Sequence, residues 1–74
     1  MKRYLTYGIK NGVGCVLAQY DYSHPEDVIE DAPGMAEVSN MDHWCVVRID
    51  WDNSQWIRTV IAKSDGCPAI YLDK

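Results

Sequence analysis

Residues 42–63 read DHWCVVRIDWDNSQWIRTVIAK and hold all three tryptophans of a 74-residue chain. The segment HWCVVRIDW alternates in the period-2 manner of a half-buried strand. Cys45, Val47, Ile49 and Trp51 fall on one face, and Trp44, Val46, Arg48 and Asp50 on the other. Asp52-Asn53-Ser54-Gln55 has turn chemistry, and WIRTVIAK reads as the returning strand. Centring the turn on Asn53-Ser54 sets Trp51 opposite Trp56, Val47 opposite Val60 and Cys45 opposite Ala62. A register shifted by one would set Arg48 against Arg58, and like charges directly opposite each other are unfavourable. Trp51 and Trp56 then share the face of Val47, Ile49 and Val60 and are expected in the core. Trp44 lies across the sheet with Arg48 and Asp50, either open to a partner or covered by residues 25–41.

A second hairpin stands at the other end of the chain. RYLTYGIK and CVLAQYDY flank Asn11-Gly12, the pair that a type I′ turn favours because both central residues need positive φ. Lys10 then faces Val13, Tyr7 faces Val16 and Leu5 faces Ala18. One face collects Leu5, Tyr7, Ile9, Val16, Ala18 and Tyr20, and the other Tyr4, Thr6, Leu17 and Gln19. After residue 63, Ser64-Asp65-Gly66 marks a turn, Cys67-Pro68 a connection and AIYLDK a short last strand. Pro68 cannot donate to a ladder, so it belongs at a strand start or an edge.

Between the hairpins the β pattern breaks. Ser23-His24-Pro25-Glu26 reads as a capping box with Ser23 as N-cap and Pro25 in the first turn. Val28, Ile29 and Ala32 supply a short apolar stripe, and Pro33-Gly34 is expected to stop the helix near Asp31. MAEVSNM, residues 35–41, fits a second helical turn, a short edge strand, or a loop tucking Met35, Val38 and Met41 onto the core. The sum is one α+β domain, with about five antiparallel strands in one curled sheet or small open barrel. An N-terminal hairpin and a C-terminal three-strand meander enclose one short acidic helix.

Composition limits function. A chain this short buries only roughly 60–65% of its unfolded surface, so stapling or self-association would help it. Hydrophobic residues make up 47% and charged residues 24%, ordinary for a globular domain and unlike a disordered one. Phe is absent, so Tyr and Trp carry the aromatic load, and both are enriched at interfaces. Cys15, Cys45 and Cys67 form an odd set, a poor disulfide framework, though one pair would be possible. The start, MKRYLTYGIK, lacks the apolar run of a signal peptide, and no segment has the length and apolarity of a membrane span. The expectation is a cytoplasmic protein with reduced thiols and no membrane partner.

The net charge is −4, and no Lys or Arg occurs between Lys10 and Arg48. That gap holds Asp21, Glu26, Asp27, Glu30, Asp31, Glu37 and Asp42, seven of the eleven acids. Phosphate binding needs clustered cations, so direct nucleic-acid contact is disfavoured and a basic protein surface is the matching partner. His43-x-Cys45 is a single loose ligand pair, whereas zinc sites use two pairs, so no metal and no cofactor is expected. Cys45 with His43 lacks an orienting third group for nucleophilic chemistry, and Gly12-Val13-Gly14 lacks the strand–loop–helix order of a phosphate loop.

The residues thus point to a small non-enzymatic interaction module. Its expected protein-binding residues are Glu26, Asp27, Glu30, Asp31, Glu37 and Asp42, with Trp44 and Tyr22 as exposed aromatics. Phage and mobile-element inhibitors that occupy nucleic-acid-binding surfaces, antirestriction and anti-CRISPR proteins among them, are an analogy of type alone, not of motif. On that analogy the partner is a protein with a basic surface, within a nucleoprotein complex. Two other classes stay open. One is a homodimeric assembly subunit using sheet edges at residues 3–10 or 69–73. The other is a small nucleic-acid binder using Arg48, Arg58 and Lys63.

Overall fold

The computed structural model describes residues 2–21 and 24–67. They form β1 (Lys2–Lys10), β2 (Val13–Asp21), α1 (Pro25–Val38), β3 (His43–Asp52) and β4 (Gln55–Lys63). The strands make one open antiparallel sheet in the order β2-β1-β3-β4, so the fold is α+β. Among the described residues there are four strands, against about five expected. The expected last strand, AIYLDK, lies outside the described residues. β1 pairs with β2 on one side and β3 on the other, so residues 3–10 are central and not an edge.

Both hairpins close on two-residue turns. Asn11 and Gly12 have φ of 54° and 78°, and Asn53 and Ser54 have 48° and 63°, the left-handed pairs that fit the right-handed twist of the flanking strands. Next to the turns the registers are as expected: Lys10 pairs with Val13, Tyr7 with Val16, Trp51 with Trp56 and Val47 with Val60. Farther on, each hairpin has one irregularity, at Thr6/Tyr7 and at Val46/Val47. Beyond them Leu5 pairs with Gln19 rather than Ala18, and Cys45 with Lys63 rather than Ala62. An extra residue in a β-bulge turns the following side chains to the opposite face. On β4 the bulge lays Ile61 and Ala62 side by side on the helix-bearing face, against the cluster beneath α1. On β2 it moves Ala18 and Tyr20 to that face and Gln19 to the other, reversing the sequence assignment.

α1 extends well past Asp31. Its N-cap is His24, without a side-chain capping bond, and Pro25 opens the first turn. Ser23, the expected cap, lies outside the described residues. Pro33 sits inside the helix. The helix continues because Val28, Ala32 and Ala36, four residues apart, are buried on the sheet, and that stripe outweighs the breaking tendency of Pro33-Gly34. Residues 35–38 are therefore helical. The end is a Schellman motif with Asn40 at φ 57°: the Asn40 N–H donates to the Glu37 carbonyl at 3.1 Å and the Met41 N–H to the Ala36 carbonyl at 2.9 Å. Met41 then lies over Gly8, where an added Cβ would stand 2.5 Å from Met41 Cγ, so this crossing requires glycine.

The core has two parts, one on each face of the sheet. Beneath α1, Tyr4, Val28, Ala32 and Val46 are buried, with Tyr20, Ile29, Trp44, Ile61 and Ala62 packed around them. On the other face Ile9, Cys45, Val47 and Cys67 form the second cluster, flanked by Tyr7, Ile49 and Val60.

Candidate protein interface

The buried stripe of α1 fixes what its other side presents. Val28, Ala32 and Ala36 face the sheet, so Glu26, Asp27, Glu30, Asp31 and Glu37 are all exposed. The helix contains no Lys or Arg. The ion pairs Arg3–Asp21 and Arg48–Asp50, each 2.9 Å, belong to the sheet. Beside the acids, α1 and β2 border an open cleft of about 430 Å³ lined by Leu17, Asp31, Gly34, Met35, Val38 and Ser39. Val38 at its edge is 88% exposed. The cleft sets apolar walls beside the Asp31 carboxyl, and the missing side chain at Gly34 leaves it open. A long cationic side chain, with an apolar stem and a charged tip, matches that chemistry.

Two expected site residues, Asp42 and Trp44, lie off the helix. Asp42 is exposed, but its Oδ2 accepts the Asn11 N–H at 3.0 Å and its own N–H donates to the Ile9 carbonyl at 2.9 Å, so it ties the first turn to the start of β3. Trp44 is half-buried against the cluster under α1, and its backbone N–H donates to Ser64 Oγ at 3.0 Å. Tyr22 lies outside the described residues.

The exposed indoles are the two assigned to the core. Trp51 is 54% and Trp56 61% exposed, packed edge-to-face on each other with ring centroids 4.8 Å apart. They stand next to the β3–β4 turn, past the Ile9–Val47 cluster. Trp56 also lines a cleft of about 310 Å³ with Arg3, Ile49 and Arg58. The sequence signal was their place beside the turn, since cover over a sheet thins toward its ends. Arg58 pairs with Ile49 and Lys63 with Cys45, whereas Arg48 pairs with Thr59 and lies across the sheet, so Arg48, Arg58 and Lys63 do not share one face.

Cys15 is exposed, and Cys45 and Cys67 are buried side by side. Burial, then the neighbouring Cys67, pushes the Cys45 thiol from 9.0 up to about 12, and burial also raises Cys67. A thiol held protonated in this way is a poor nucleophile. Among the described residues no group of three or more His, Cys, Asp or Glu is arranged to hold a metal ion. No helix among them is long and apolar enough to cross a membrane. In comparisons with known proteins, no family model, no curated protein and no solved structure matches this chain.

Proposed function

We propose that this chain is a small non-enzymatic protein-binding module that docks on a basic partner through the outer face of α1. The observation that carries the reading is the acidic face, Glu26, Asp27, Glu30, Asp31 and Glu37, with an apolar cleft opening beside Asp31. Carboxylates on a rigid helix pair with Arg and Lys side chains, and the cleft receives an aliphatic stem. A partner whose cations normally hold phosphates fits best, so the module acts by occupying a nucleic-acid-binding surface, as phage-type inhibitors do. Such docking is fast and specific at low salt and weakens as salt rises.

Charge reversal tests this with an arginine-rich decapeptide as probe. Glu30→Lys with Asp31→Lys is expected to weaken peptide binding at least tenfold. Asp65→Lys with Asp21→Lys changes the net charge equally but lies off the helix, and should weaken it far less. Equal losses from both pairs would reduce the effect to overall charge and overturn the reading.

A further inference from the structure

We propose that the chain forms a two-fold dimer by antiparallel pairing of β4 with β4 of a second copy, with the axis through Ile57. Among the described residues β2 and β4 are the sheet edges. On β4 the segment Gln55–Arg58 is exposed, with Trp56 at 61% and Ile57 at 37%. An exposed edge carrying large apolar side chains is a template for another strand.

Backbone geometry restricts the register. In a two-residue hairpin the pair flanking the turn, here Asp52 and Gln55, exchanges hydrogen bonds, and the pattern alternates from there. Gln55, Ile57 and Thr59 therefore aim their N–H and C=O groups at β3, while Trp56 and Arg58 aim theirs outward. An axis through Ile57 sets the outward Trp56 opposite the outward Arg58 of the second copy, and each such pair exchanges hydrogen bonds. The side chains agree with this register. On the open face Trp56 stands opposite Arg58 of the second copy, twice by symmetry, so no like charges oppose each other there. On the helix-bearing face Ile57 meets Ile57 and Gln55 meets Thr59. An axis through Arg58 would set guanidinium against guanidinium, which is unfavourable. The bulge at Ile61 lies beyond the paired segment. The same operation on β2, through Cys15, would pair Gly14 with Val16 and bring little side-chain contact.

Paired residues share a face, so the axis is perpendicular to the sheet and both α1 helices lie on the same side of an eight-stranded sheet. A dimer built this way presents two acidic helices together, and two linked sites bind a repetitive basic surface more tightly than one. The dimer itself uses neither α1 nor its cleft, so its test is independent of the binding proposal.

The test combines sedimentation with cross-linking. The unmodified chain is expected to sediment as a dimer at high micromolar concentration. Ile57→Lys should weaken association at least tenfold while the far-ultraviolet circular dichroism stays unchanged. Facing Cα atoms in a non-hydrogen-bonded pair are about 4.5 Å apart, within disulfide reach. Ile57→Cys in a Cys15→Ser background should therefore form a disulfide-linked dimer in oxidised glutathione, even if the lysine variant fails to fold. A monomer at all concentrations, a dimer indifferent to Ile57→Lys, or cross-linking through native Cys15 would overturn the proposal. Cross-linking of Trp56→Cys in place of Ile57→Cys would move the axis and overturn the register.

Discussion

Asn53 and Ser54 both hold positive φ, yet only asparagine tolerates that region well. A left-handed conformation costs a residue with a Cβ about 1–2 kcal/mol, and glycine escapes most of that cost. Ser54→Gly is therefore expected to stabilise the domain by about 1 kcal/mol, raising the thermal midpoint by roughly 4–8 °C. Calorimetry checks this, and an unchanged or lower midpoint would refute the turn assignment. Turn residues such as Asn11-Gly12 were legible in the sequence because positive φ is a local demand answered by local chemistry. The faces of Ala18, Gln19 and Tyr20 were not, because a bulge is set by the partner strand and the helix above it. The Trp51–Trp56 pairing was legible and its exposure was not. Alternation says which side chains share a face, but not how far the cover over that face extends.

At the level of elements, α1 shows packing overriding propensity. Pro33 supplies no N–H to the Ile29 carbonyl, and its ring crowds that carbonyl, at a cost of about 3 kcal/mol in a typical helix interior. Pro33 is exposed, so its ring adds little to the core. Pro33→Ala restores the bond but frees the unfolded chain, which returns up to about 1 kcal/mol of the gain. A net stabilisation of about 1–2 kcal/mol is expected in urea unfolding, and destabilisation would mean the helix is bent to suit the proline. The helix start was readable from Pro25 and the first-turn acids Glu26 and Asp27. Its end was hidden because the Pro33-Gly34 pair reads as a stop until Ala36 is seen buried on the sheet. The acidic face was legible as composition. The cleft beside it was not, since Leu17 reaches it from the other hairpin.

Across the whole molecule, the acids of α1 stand over one face of the sheet, while Arg3, Arg58 and the indole pair occupy the other. Between them lies a core sensitive to alkali. The folded Cys45 thiol titrates at about 12 against an ordinary 9.0, so the native state holds its proton more tightly than the unfolded chain. That contribution is intact below about pH 9 and is lost as pH rises toward 12. The limiting slope is about 1.4 kcal/mol per pH unit. Urea unfolding from pH 7 to 10 should show the decline beginning near pH 9, and Cys45→Ala should flatten it. Cys67, raised in the same direction, adds to the effect. The proposed docking through the outer face of α1 is checked by residue-resolved nuclear magnetic resonance. The isotope-labelled chain would be titrated with the arginine-rich decapeptide at low and high salt. Amide shifts are expected to concentrate at residues 26–38 and at Leu17 and to fade as salt rises. Shifts centred on Trp51, Trp56 and Arg58, or spread evenly over every acidic residue, would contradict it.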